Sequence, residues 1–132
     1  MTVQEELRAL IERNYLKLCE QLDAVTRLLV ERVPASALDP ASIAAAQGLT
    51  HQLRGAAGTI GFGQLSAAAA ELDESLSRLL SDESPVAADR FERCLGLLVA
   101  LRRIAEQTTP AMSALYRADL ASMVPPAQCS AA

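Results

Sequence analysis

Four stretches of the chain repeat apolar residues every three or four positions, which is the period of an amphipathic α-helix. In chain order the apolar stripes are Val3, Leu7, Leu10, Ile11, Leu18, Leu22, Val25 and Leu29; Ile43, Ala46, Leu49, Leu53, Ala56 and Ile60; Leu65, Ala69, Leu72, Leu76 and Leu79; and Phe91, Cys94, Leu95, Leu98, Leu101 and Ala105. Amphipathic helices joined by short loops predict an all-α fold, an up-down-up-down antiparallel four-helix bundle. A weaker pattern over residues 110–123 adds a possible extra C-terminal helix.

Capping signals mark where the helices begin. Thr2 and Glu5 have the spacing of a capping box. Gly61 and Gly63 interrupt the second stripe, so we expect the third helix to begin near Gly63. Three dipeptides place a capping side chain before a proline at the first helical position. They are Asp39-Pro40, Ser84-Pro85 and Thr109-Pro110.

Composition agrees with one helical domain. The 132 residues are 51% hydrophobic but only 3% aromatic, and the apolar residues are mostly Ala and Leu, which favour helices. We expect the domain to span residues 1–123. Pro125-Pro126 begins a tail of small residues, 124–132, that we expect to be disordered.

The charge pattern argues against several classes of partner. The net charge is −4, and no basic cluster exceeds Arg102-Arg103, so we expect no nucleic-acid binding. No run of 18 apolar residues predicts a membrane span, and acidic Glu5 and Glu6 are unlike a signal peptide. An odd, scattered set of cysteines favours a cytoplasmic protein with reduced thiols. They are Cys19, Cys94 and Cys129.

The chain has a single histidine, His51. A lone histidine is more often structural than functional, but this one falls roughly 180° from the centre of the predicted stripe of its helix. We therefore expect the imidazole to be exposed. The residues that share its face are Ala44, Gln47, Gly48, Arg54, Gly55, Gly58 and Phe62.

Three glycines on that face are unexpected in a helix, since each costs about 1 kcal/mol relative to alanine. Without a Cβ they would let another protein approach His51 closely. The alternative is close packing of a neighbouring helix, which the opposite orientation of the apolar stripe disfavours. The predicted docking residues are Gln47, Gly48, Gly55, Gly58 and Phe62.

Two charged residues are candidates to assist the imidazole. Arg54, three residues after His51, could hold phosphate oxygens. If the chain reverses at Phe62, Asp73 lies at the same height as His51 in an antiparallel pair, because each is eleven residues from the turn. Asp73, or its neighbours Glu71 and Glu74, could then accept a hydrogen bond from one ring nitrogen and leave the other as nucleophile.

The run from His51 to Phe62, HQLRGAAGTIGF, followed by Leu65, resembles the signature H-x-L-[KR]-G-x-x-x-x-x-G of histidine-phosphotransfer (HPt) domains. It is similar to the HPt domains of hybrid sensor kinases and to the phosphotransfer domain of chemotaxis histidine kinases, where Gly-Phe also ends the motif. The close match covers about fifteen residues.

The resemblance implies that His51 carries a phosphoryl group on Nε2 and exchanges it with receiver-domain aspartates. Arg54 would steady the group, and Gly55 would permit docking. Family members often carry Glu or Gln where this chain has the shorter Asp73. We expect a monomeric carrier without a cofactor of its own, because the receiver would supply Mg²⁺. The chain also lacks a glycine-rich nucleotide loop, so we expect no kinase activity.

Three alternative functions fit the sequence less well. The phosphoacceptor hairpin of a sensor kinase normally has an acid directly after its histidine, where this chain has Gln52. A metal-binding bundle would need two Glu-x-x-His motifs, but position 48 is glycine and there is no second histidine, so we expect no metal site. A non-catalytic adaptor, which binds receivers through the glycine-lined face without transfer, stays open.

Overall fold

The computed structural model describes residues 2–31, 40–81 and 87–116, and every regular element in those ranges is helical. Helix α1 spans Val3–Thr26 and continues into a π-helical segment, Arg27–Glu31. Helix α2 spans Pro40–Thr59, α3 spans Gly63–Ser81 and α4 spans Ala87–Gln107. A short 3₁₀ helix, Pro110–Met112, follows. The expected all-α bundle is confirmed.

Polar contacts show that α2 runs antiparallel to α3 and that α1 runs antiparallel to α4. Along α2 and α3, His51 meets Asp73 while Arg54, later in α2, meets Ser66, earlier in α3. Between α1 and the C-terminal part of the chain, Tyr15 bonds to Thr108 whereas Asp23, later in α1, bonds to Arg102. The α2–α3 interface is the most extensive in the bundle, and it is the interface that carries the histidine.

Four of the predicted helix starts are confirmed, at Val3, Pro40, Gly63 and Pro110. The Thr2 hydroxyl accepts a hydrogen bond from the Glu5 amide at 3.1 Å, and the Glu5 carboxylate accepts one from the Thr2 amide at 3.0 Å, which completes the capping box. Helix α3 begins at Gly63 as expected. Helix α2 begins at Pro40. Asp39 and Ser84-Pro85 lie outside the described residues.

The apolar stripes of α1 and α3 are largely as predicted. All five α3 stripe residues are buried, and so are the stripe residues of the first segment from Ile11 to Leu29. Nearer the start of α1, Val3 and Leu10 are instead exposed, by 69% and 45%. Among the α4 residues whose side chains are described, the four buried ones all belong to the predicted stripe. They are Phe91, Cys94, Leu98 and Leu101.

The stripe of α2 differs from the prediction. Leu49 and Ile60 are only half-buried and Ala56 is exposed, whereas Thr50 and Ala57 are fully buried. The Thr50 hydroxyl can be buried because it donates to the Ala46 carbonyl at 2.7 Å. The buried face is thus turned toward α3 by roughly 50° relative to the predicted stripe.

The segment after α4 returns to the turn between α2 and α3. The Ser113 hydroxyl donates to the Ile60 carbonyl, and the Ala114 amide donates to the Gly61 carbonyl at 3.0 Å. Arg8 of α1 donates to the Tyr116 carbonyl at 3.1 Å and lies over the Tyr116 ring. This segment, residues 108–116, is called the C-terminal strap below.

The predicted C-terminal helix begins at Pro110 as expected, but in its described part it is a 3₁₀ helix that ends at Met112. After Met112 the backbone leaves the helical region at Ser113, where ψ is 134°. The bonds from Ser113 and Ala114 to the α2–α3 turn explain why the chain stays there instead of continuing as a helix. Residues 117–123 of the prediction, and the tail 124–132, lie outside the described residues.

Two further observations bear on the sequence predictions. Within the described ranges no helix has the length and hydropathy that a bilayer crossing requires. Cys19 and Cys94 are free thiols, whereas Cys129 lies outside the described residues.

Candidate phosphoacceptor site

The turn that ends α2 sets the direction of the histidine-bearing helix against α3. Gly61 adopts φ +88°, a backbone conformation that favours glycine. The Phe62 amide bonds back to the Ala57 carbonyl at 2.8 Å, and α3 begins at the next residue. This tight reversal holds α2 and α3 side by side along their length.

Phe62 is not on the docking face, and its prediction as a docking residue was wrong. It is 3% exposed, and its ring packs against the Tyr15 ring with centroids 5.9 Å apart. The helical wheel placed it beside His51 because it assumed that α2 continued. The helix ends at Thr59, and the turn at Gly61 directs Phe62 into the core.

His51 lies on the rim of the α2–α3 interface. Its side chain is 68% exposed, which confirms the predicted accessibility. Relative to the observed buried face of α2, however, it lies about 130° away and not opposite the core. One side of the ring therefore faces α3 and the other faces solvent.

Asp73 of α3 contacts the side of the imidazole that faces α3. Nδ1 of His51 lies 2.9 Å from Oδ2 of Asp73. Asp73 is only 4% exposed, although a carboxylate is rarely buried unless it is paired. The equal spacing of the two residues from the turn had predicted this contact, and the antiparallel pairing produces it despite the short aspartate side chain.

Two further donors surround the Asp73 carboxylate. Gln47 Nε2 donates to Oδ1 at 2.8 Å, and Arg54 Nη1 donates to Oδ2 at 3.2 Å. Burial acts to raise the pKa of the Asp73 carboxyl, but the bonds from His51, Gln47 and Arg54 outweigh it, and the pKa lies below its ordinary value. The carboxylate is therefore ionised at neutral pH and can only accept hydrogen bonds.

An ionised Asp73 fixes the tautomer of the neutral imidazole. Because the carboxylate has no proton to donate, Nδ1 of His51 must donate to it. Nε2 then carries a lone pair instead of a proton, and no described residue forms a hydrogen bond with it. This arrangement presents one nucleophilic nitrogen to an approaching molecule.

Arg54 is placed between the buried carboxylate and solvent. Its side chain is 41% exposed, and its contact with Asp73 is made through one guanidinium nitrogen. A guanidinium offers five N–H donors, so it can bind a second anion while it keeps this contact. The Ser66 hydroxyl donates to the Arg54 carbonyl at 2.9 Å and ties this part of α2 to α3.

Comparison with protein-family models assigns the chain to a family. The model of the Hpt domain matches residues 3–107, which cover all four helices up to the strap. The chain belongs to the Hpt domain family. No curated protein and no solved structure shows significant similarity to the chain. Hpt domains are phosphotransfer carriers of two-component signalling, and they interact with receiver domains and kinases.

The glycines of this Hpt domain do not share one explanation. A Cβ added at Gly48 or Gly55 would have no neighbouring atom within 4 Å, so both leave open space near His51. A Cβ at Gly58 would lie 3.2 Å from the Ser66 hydroxyl oxygen. Open space for an approaching partner is therefore consistent with glycine at positions 48 and 55, whereas close packing of α3 accounts for Gly58.

Two polar contacts in this Hpt site were not predicted. Gln47 was expected on the docking face, but it is half-buried and its amide is bonded to Asp73. Its position four residues before His51 puts it on the same side of α2, which is the signal that could have indicated the contact. Ser66 had no such signal because its partner is a backbone carbonyl.

Among the described residues, no group of three or more His, Cys, Asp or Glu side chains could hold a metal ion. Glu71 and Glu74, the other acids considered for contact with His51, are exposed and lie on a different side of α3, along a groove toward α4. Asp73 is thus the carboxylate that serves the imidazole.

Proposed function

We propose that His51 accepts a phosphoryl group on Nε2 and passes it to or from the aspartate of a receiver domain. The observation that carries the proposal is the bond from Nδ1 to the buried, ionised Asp73, with the rest of the ring exposed. It leaves Nε2 as the nitrogen with a free lone pair on the side that a partner can reach.

The transfer step follows from this tautomer. The Nε2 lone pair of His51 forms the N–P bond while the P–O bond of the aspartyl phosphate breaks, and the receiver carboxylate leaves with the electron pair. The phosphorylated ring keeps its proton on Nδ1 and becomes cationic, and Asp73, 2.9 Å away, stabilises that charge. In the return step the ring leaves as neutral imidazole, and the proton stays on Nδ1 throughout.

Arg54 supplies charge to the phosphoryl group in this proposal. Its partly exposed guanidinium keeps one nitrogen on Asp73 and has further N–H groups for a phosphoryl oxygen. Phosphoryl transfer through a loose transition state depends mainly on positioning and charge stabilisation. The receiver would supply Mg²⁺ and the acceptor carboxylate, so the chain acts as a carrier without nucleotide chemistry of its own.

Phosphoryl labelling with His51→Gln tests the proposal. The wild-type chain, incubated with a phosphorylated receiver or a labelled kinase, should take up acid-labile label, and His51→Gln should take up none. Because the His51 side chain is 68% exposed, the variant should fold normally, and its helical circular dichroism checks this. Equal labelling of the variant would overturn the proposal. Receiver binding without label on the wild type would instead support the adaptor alternative.

A further inference from the structure

Gln47 makes the shortest of the three hydrogen bonds to Asp73. Its Nε2 lies 2.8 Å from Oδ1, compared with 2.9 Å for His51 and 3.2 Å for Arg54, which both contact Oδ2. The two carboxylate oxygens are thus divided between partners: the amide holds one, and the imidazole and guanidinium share the other.

This division controls how the carboxylate is oriented. The terminal torsion of an aspartate side chain is broad, so the plane of its carboxylate is set by its hydrogen-bond partners. His51 and Arg54 alone would leave Oδ1 of the nearly buried Asp73 without a partner. The carboxylate could then rotate to share both oxygens with the guanidinium, a bidentate geometry that Arg favours. The amide of Gln47 opposes that rotation.

We infer that Gln47 is a positioning residue for phosphotransfer: it holds Asp73 in the orientation that keeps the Nδ1 proton of His51 and leaves Nε2 free. The inference rests on the proposed function for its effect on transfer, but its effect on the imidazole tautomer is independent of it. It replaces the role in docking that the sequence suggested. The half-buried amide is already engaged inside the α2–α3 interface and has little to offer a partner.

The variant Gln47→Met tests the inference, since methionine keeps the length of the side chain and removes the donor. Nitrogen-15 NMR of the imidazole should show a larger population of the tautomer with the proton on Nε2. The maximal transfer rate at saturating receiver should fall about three- to tenfold, the scale of one charge-assisted hydrogen bond that is partly replaced. The half-saturating receiver concentration should stay unchanged, whereas loss of a docking contact would raise it.

Gln52→Met is the matched control, because Gln52 lies on the same helix, is exposed and has no described hydrogen bond. It should leave both the tautomer and the maximal rate unchanged. Gln47→Glu is a second variant that places an acceptor against Oδ1, and it should shift the tautomer at least as far as methionine does. An unchanged tautomer in both Gln47 variants would overturn the inference. So would a raised half-saturating concentration with an unchanged maximal rate.

The failure of the inference can be told apart from failure of the proposed function. If His51 of the wild type takes up no phosphate but the tautomer still shifts in Gln47→Met, the positioning role stands and the transfer function is wrong. If the wild type transfers phosphate and Gln47→Met leaves rate and tautomer unaltered, the transfer function stands and the positioning role is wrong.

Discussion

Gly55 lies one helical turn after His51, in the interior of α2, and it is exposed. A Cβ there would meet no atom within 4 Å, so nothing in the described fold requires glycine. Alanine is favoured over glycine in a helix interior by about 1 kcal/mol. Gly55→Ala should therefore raise the free energy of unfolding by about 1 kcal/mol, which urea denaturation measures.

Gly55→Leu separates stability from docking. The leucine also favours the helix, so the variant should be at least as stable as the wild type. Its side chain would stand on the surface proposed to dock a receiver, and overfilling a packed contact costs about 1–3 kcal/mol. The half-saturating receiver concentration for transfer should thus rise roughly five- to 150-fold, with less effect on the maximal rate.

Gly96 provides the control, since it also lies exposed within a helix, α4, with no atom within 4 Å of an added Cβ. Gly96→Leu should stabilise the chain by a similar amount and leave transfer unchanged. Unaltered transfer in Gly55→Leu would refute the clearance argument. A loss of stability in Gly55→Ala would refute the structural argument on which it is built.

Two further predictions concern the turn and the buried acid. Gly61→Ala should lower the free energy of unfolding by about 2 kcal/mol or more, because φ is +88° and the added Cβ would lie 2.8 Å from the Ala114 nitrogen; a urea midpoint equal to that of the wild type would contradict this. The fold lowers the pKa of Asp73, so its ionised carboxylate stabilises the folded state at pH values above the ordinary aspartate pKa of about 3.9. This stabilisation is lost as the pH falls through the lower pKa that Asp73 has in the folded state. The stability difference between wild type and Asp73→Asn should therefore shrink between about pH 5 and pH 2, and a constant difference would show that the charge is not involved.

Local signals predicted most of the fold. The capping box at Thr2 and the start of α3 at Gly63 depend on neighbouring residues, and both are confirmed. The stripe of α3 is also confirmed, since its large apolar residues recur at an unambiguous spacing. The stripe of α2 was misplaced because that helix is rich in alanine, and burial of Ala57 or Ala56 looks equally plausible in the sequence.

Helix geometry alone was sufficient to predict part of the candidate site. Symmetry about a turn placed Asp73 beside His51, and the structure has that contact. The prediction that Phe62 lies on the docking face was wrong because its position depends on where α2 ends. Gln47 was placed on the correct side of the helix but was assigned to a docking partner instead of Asp73. The turn at Gly61 decides the position of Phe62, and tertiary packing between α2 and α3, which no local pattern contains, decides the partner of Gln47.

The C-terminal strap has a consequence for the size of the folding unit. The match to the family ends at residue 107, yet Ser113 and Ala114 satisfy the carbonyls of Ile60 and Gly61. A fragment cut at the family boundary would leave those two acceptors to water and loosen the turn that holds the histidine-bearing helix α2 against α3. Expression of this domain thus calls for a chain that runs at least through Tyr116.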